Sequence, residues 1–159
     1  MREKELGESE YVKLAEKVMR ICADNGAKCI LHTYAEAAVR LGADAIHLPM
    51  DILRTVDGDI LSKFKIIGAS CHSMEDAAEA EKIGCSYITA GHIYATDCKR
   101  GIEPRGVGFL RGVCDSVNIP VFAIGGIERA KFDELLKAGA AGACIMSGFM
   151  KGCLREDIF

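Results

Sequence analysis

Apolar residues recur along this chain with two alternating periods. Between Glu10 and Asn25 they fall at 11, 14, 15, 18, 21 and 22, the spacing of one helix face, and Gly26 predicts the stop. A short continuous apolar run at 29–31 (CIL) then reads as a buried strand. The alternation continues with a helix over 35–41 closed by Gly42, a strand at 45–48 (AIHL) and a weaker helix over 52–63. Next come a strand at 65–70 (KIIGAS), a helix over 74–83 ended by Gly84 and a strand at 86–90 (SYITA). Beyond a polar loop at 91–105, the pattern predicts a helix over 109–117, a strand at 121–126 (VFAIGG), a helix over 129–138 ended by Gly139 and a last strand at 142–146 (GACIM). LGAD (41–44), IGCS (83–86) and AGAAG (138–142) are one device used three times: helix, glycine cap, strand entry.

Repeated strand–helix units demand parallel strands covered by helices, so the class is α/β. A doubly wound sheet would announce a dinucleotide site with GxGxxG after its first strand, and the nearest match, GVGFLRG (106–112), has the wrong spacing. A TIM (β/α)8 barrel instead gathers its chemistry on the loops after the strands, with a phosphate site after the last two. Those strands end here in IGG (124–126) and MSG (146–148), where glycines let backbone N–H groups approach a phosphate. The expectation is a barrel with about six βα units, in a single domain over 1–159.

Composition narrows the function classes. The chain is 50% hydrophobic with a net charge of −3, and no basic patch is interleaved with aromatics, which argues against nucleic acid. No apolar run approaches the ~20 residues of a membrane span, and MREKELGESEYVK is too charged for a secretory signal. A cytoplasmic location without a membrane partner is expected. The eight cysteines form no CxxC and no zinc spacing, so they read as reduced thiols, several of them core hydrophobes.

The four histidines, His32, His47, His72 and His92, each lie in or just after a different successive strand, where Asp51, Ser70, Thr96 and Lys99 also fall. An imidazole gives or takes a proton near neutrality. Clustered imidazoles with Asp51 could alternatively hold Zn²⁺ or Fe²⁺. Lys99 with Arg100, and Arg2 with Lys4, are cationic pairs able to neutralise a carboxylate or phosphate. Taken alone, these residues point to proton transfer on a small phosphorylated substrate.

REK (2–4), GADAIHL (42–48), GASCHSMEDAAEAEKIGCSYITAGHIYATDCKRG (68–101), IPVFAIGGI (119–127) and AGAAGACIMSG (138–148) resemble, in order, the motifs of the thiamine phosphate synthase/thiazole tautomerase superfamily. That resemblance implies a (β/α)8 barrel of thiamin biosynthesis. Its synthase branch joins a pyrimidine pyrophosphate to a thiazole phosphate with Mg²⁺. Its tautomerase branch aromatises a thiazole carboxylate phosphate by moving a proton, without a metal. GHIYATDCK (91–99) looks like the tautomerase pattern, because His92 replaces the synthase proline and Cys98 a threonine. His32 and Thr33 stand where synthases carry an Asn-Asp pair, and Pro49-Met50-Asp51 leaves only Asp51 for a metal. The resemblance therefore implies a thiazole tautomerase, an isomerase without cofactor, with Mg²⁺ only in the synthase alternative; an inactive remnant or phosphate-binding regulator is the third reading.

The same resemblance implies roles for individual residues. His92 would transfer the proton, and Lys99 would lie near the substrate carboxylate or phosphate. Gly125, Gly126, Ser147 and Gly148 would cradle the phosphate, Arg2 and Lys4 would contact anionic groups, and Ser70, His32 and Thr96 would complete the substrate set. Against the family, Met1 falls where the second strand is finishing, and LREDIF is short for a closing helix. The expectation is a fragment; a homo-oligomer supplying the missing strands is the alternative.

Overall fold

The computed structural model describes residues 1–3 and 5–150, for Phe149 the backbone only, and the chain divides into two compact units, Met1–Ala69 and Ser70–Phe159. Six strands alternate with helices among the described residues, in the α/β order that the apolar pattern predicts.

The first unit opens on helix α1 (Glu8–Asp24), which turns Tyr11 and Ala15 inward. Strand β1 (Leu31–His32) pairs in parallel with β2 (Ala45–Pro49), Leu31 opposite Ile46 and His32 opposite His47. β1 is two residues later than the CIL run suggests, because only Leu31 and His32 are in register with β2. Helix α2 (Ala35–Arg40) buries Ala35, Ala37 and Ala38, small enough for close packing, and Gly42 (φ +70°) turns the chain into β2. The helix expected over 52–63 is two short ones, α3 (Met50–Leu53) and α4 (Gly58–Leu61). Asp57 causes the break: its backbone is extended, and its carboxylate caps the new start by accepting from the Asp59 N–H at 2.8 Å.

β3 (Ile66–Cys71) leads in sequence to the second unit, where α5 (Met74–Ile83) has the predicted bounds. The Ser73 hydroxyl caps it by accepting from the Asp76 N–H at 3.0 Å, and Gly84 at φ +102° ends it. β4 (Tyr87–Gly91), β5 (Val121–Ile124) and β6 (Gly142–Cys144) are parallel neighbours in chain order. α6 (Gly106–Ser116) starts three residues before the apolar period does, because the Arg105 and Gly106 N–H groups donate to the carbonyls of His92 and Ile93. A 3-10 turn (Arg129–Lys131) precedes α7 (Phe132–Lys137), and α8 (Ser147–Met150) follows β6. Leu110 and Val113 of α6, Leu135 of α7 and Ile88 of β4 are fully or almost fully buried. Each such side chain contributes roughly 1.5–3 kcal/mol.

Candidate active site

In the second unit the chain leaving β4 folds against the chain leaving β5. The Ile93 N–H donates to the Ile124 carbonyl at 2.9 Å, and the Tyr94 N–H donates to the Gly125 carbonyl at 3.0 Å. The approach is too close for side chains. A Cβ on Gly125 would stand 2.4 Å from the His92 Cβ, and one on Gly126 would stand 2.3 Å from the Ala95 carbonyl oxygen. Both glycines have positive φ, +101° and +65°, so this turn requires glycine on two independent grounds.

His92 lies inside this joint. It is 8% exposed, follows a cis peptide bond from Gly91, and its Nε2 faces the Ile102 carbonyl at 3.3 Å. An N–H on Nε2 satisfies that carbonyl. Side chain and glycine turn are thus packed together rather than separated by a cavity. The other expected residues of this unit lie nearby in sequence or register. Thr96 caps the 3-10 turn Asp97–Lys99, accepting from the Cys98 N–H at 3.5 Å, while Lys99 is exposed. Arg100 is engaged with Asp97 at 3.3 Å on the surface, a pair worth little. Ser147, exposed, and Gly148, half-buried, begin α8; Cys144 of β6 is in register with Ile124, so both strands end at one level. Ser70 is half-buried in β3. His72 is exposed, and its Nδ1–H donates to the Gly91 carbonyl at 2.9 Å, tying the end of β3 to that of β4.

The first unit holds the remaining residues. His32 and His47 stack with ring centres 5.3 Å apart, and the His32 Nδ1 is 2.6 Å from the Thr33 hydroxyl. Burial, then the positive terminal amino group and Arg2, push the His47 imidazole down to about 4. The Tyr11 hydroxyl accepts the His32 backbone N–H at 2.9 Å, and burial raises its phenol. Arg2 and Asp51 are exposed, and Lys4 lies outside the described residues. A cleft of about 350 Å³ in this unit is bounded by Thr33, Tyr34, Glu36 and Asp57, with none of the expected substrate or catalytic residues in its lining.

The metal implied by the synthase alternative can be tested on these donors. Mg²⁺ takes hard oxygen ligands in near-octahedral geometry. Among the described residues no three His, Cys, Asp or Glu side chains converge on a metal position. His32 offers an imidazole nitrogen beside the Thr33 hydroxyl, and Asp51 is the one carboxylate in the expected set. The described donors form no all-protein cage for Mg²⁺, nor do they form the Zn²⁺ or Fe²⁺ site weighed above.

Sequence reasoning did not single out Tyr94, Lys131 or Glu134. The Tyr94 hydroxyl donates to Glu134 at 2.8 Å, and the Lys131 ammonium lies 4.2 Å from the Tyr94 ring centre. Burial and the Glu134 carboxylate push the Tyr94 phenol up to about 12. Only the three-residue spacing of Lys131 and Glu134 on one helical stretch offered a sequence signal.

Residues 1–149 match the family model described as thiamine monophosphate synthase. The thiamine-phosphate synthase of Chlorobium luteolum is 35% identical over 159 residues, covering 99% of this chain and 75% of that protein. The thiamine-phosphate synthase of Shouchella clausii is 33% identical, covering 92% of this chain and 71% of that one. Among solved structures, thiamine phosphate pyrophosphorylase from Pyrococcus furiosus is 31% identical with a TM-score of 0.77, covering 94% of this chain and 72% of that one. The six strand–helix units thus have the barrel-type fold that the pattern predicts. The tautomerase expectation, an isomerase, is corrected: these relatives carry the synthase name, and His92 sits buried against a carbonyl rather than at an open mouth. The chain belongs to the thiamine monophosphate synthase family.

Proposed function

We propose that this chain is a transferase of thiamin biosynthesis, joining a pyrimidine pyrophosphate to a thiazole phosphate. The observation that carries it is the 31–35% identity to thiamine-phosphate synthases and a thiamine phosphate pyrophosphorylase over at least 92% of the chain. In this reaction the thiazole ring nitrogen bonds to the pyrimidine's methylene carbon. The carbon–oxygen bond to pyrophosphate breaks and its electron pair leaves with pyrophosphate. No proton has to move, so the chemistry asks nothing of a titrating imidazole, in keeping with the buried His92.

The residues contribute binding and orientation. The glycine turn at 125–126, with Ser147 and Gly148 on the neighbouring strand end, offers backbone N–H donors to the thiazole phosphate. Lys99, exposed on the loop after β4, adds a positive charge for an anionic group, and the Thr96 hydroxyl a neutral partner. Holding the two reactants in line supplies much of the acceleration. Mg²⁺ is what the family implies for this reaction; the described residues form no all-protein cage for it, and no step is assigned to it.

The test compares thiazole phosphate with its dephosphorylated alcohol, each given with the pyrimidine pyrophosphate. Thiamine phosphate is expected by mass spectrometry from the former, with the alcohol at least a hundredfold poorer. Absence of condensation product from both rejects the assignment.

A further inference from the structure

One side chain without an assigned task, Lys131, reaches the glycine turn of the second unit, backed by the side chains of Tyr94 and Glu134. The Lys131 ammonium donates to the Gly126 carbonyl at 3.4 Å and lies over the Tyr94 ring at 4.2 Å, within cation–π range. The Tyr94 hydroxyl is held by Glu134 at 2.8 Å, and the Tyr94 N–H donates to the Gly125 carbonyl at 3.0 Å. Lys131 therefore grips both partners of the joint: the turn after β5 and the segment after β4.

Peptide planarity gives this grip a consequence. Within a trans peptide unit the carbonyl and the following N–H point in opposite directions. Fixing the Gly125 carbonyl therefore fixes the Gly126 N–H, and fixing the Gly126 carbonyl fixes the Ile127 N–H. The Gly125 carbonyl is held by the main-chain N–H of Tyr94 and the Gly126 carbonyl by the Lys131 ammonium, so the two following N–H groups are directed away from these donors. A glycine turn without such anchors would lose more freedom on binding a ligand than any other backbone. We propose that Lys131, Tyr94 and Glu134 are positioning residues, a clamp in which the Lys131 ammonium, seated on Tyr94, pre-sets the Ile127 N–H beside the main-chain-held Gly126 N–H to receive a phosphate. This rests on the phosphate role given to the turn above. A clamp of this kind lowers the cost of binding and leaves the bond-making step unaltered.

The experiment titrates the full chain with inorganic phosphate, following the backbone amide resonances of Gly126 and Ile127, and measures KM and kcat with thiazole phosphate. Lys131→Ala is expected to weaken phosphate about tenfold and raise KM by a similar factor, with kcat within about twofold. Lys131→Met keeps the apolar stem without the charge and should match it, while Lys131→Arg restores wild-type values within about twofold. Tyr94→Ala should resemble Lys131→Ala, and the double variant should be no weaker than the poorer single. Unchanged phosphate affinity in folded Lys131→Ala or Lys131→Met overturns the clamp, as does a fall in kcat at constant KM. If wild-type amides ignore phosphate while those of other loops respond, the phosphate role of the turn fails together with the clamp.

Discussion

At the scale of single residues, His47 shows burial acting on charge. Its imidazole is held near 4, against an ordinary value of 6.5, first by burial and then by the terminal amino group and Arg2. The folded chain therefore keeps His47 neutral where the unfolded chain takes up a proton. Stability tied to this residue is whole above pH 6.5 and falls as pH drops towards 4, because the unfolded state binds more protons across that window. About 2 kcal/mol should be lost between pH 7 and pH 5. Urea denaturation at the two pH values should show that loss in wild type and a loss smaller by that amount in His47→Gln. Equal losses would mean that His47 protonates freely in the fold. The sequence made the imidazoles visible, each near a strand end, but not their surroundings. His92 and His47 differ in burial partners and charge neighbours, which only the register of strands and the return of distant loops determine.

At the scale of elements, glycine does two kinds of work. Gly84 and Gly139 end helices at positive φ, as the repeated helix–glycine–strand device predicts, because a left-handed cap is a local matter. Gly125 is different, since its need comes from His92 on another strand end. Gly125→Ala should cost about 3 kcal/mol from backbone strain and overlap combined, read from the urea midpoint. Gly108→Ala is the control: it lies inside α6 with nothing within 4 Å of the added Cβ, and it should stabilise by about 0.5–1 kcal/mol. If both cost the same, packing at the turn is not what Gly125 serves. Strand and helix identities were legible from apolar spacing. The break at Asp57 was written in its capping carboxylate, yet a continuous apolar period masked it. The Tyr94–Glu134 bond joins residues forty positions apart, which no local pattern encodes.

At the scale of the molecule, the order of strands, helices and glycine-ended loops carries the family, whereas the replaced residues carry no reaction by themselves. His92 at a proline position and Cys98 at a threonine position suggested proton chemistry. The corrected account gives His92 a packing place against the glycine turn at 125–126, and the proposed reaction rests on positioning two substrates. No helix among the described residues is long and apolar enough to cross a membrane. The most direct measurement is the time course of pyrophosphate release beside thiamine phosphate formation, from pyrimidine pyrophosphate and thiazole phosphate with the purified chain. The account predicts that the two products rise together in a one-to-one ratio and that neither forms when either substrate is omitted. Folded chain that yields neither product, or pyrophosphate without thiamine phosphate, would contradict it.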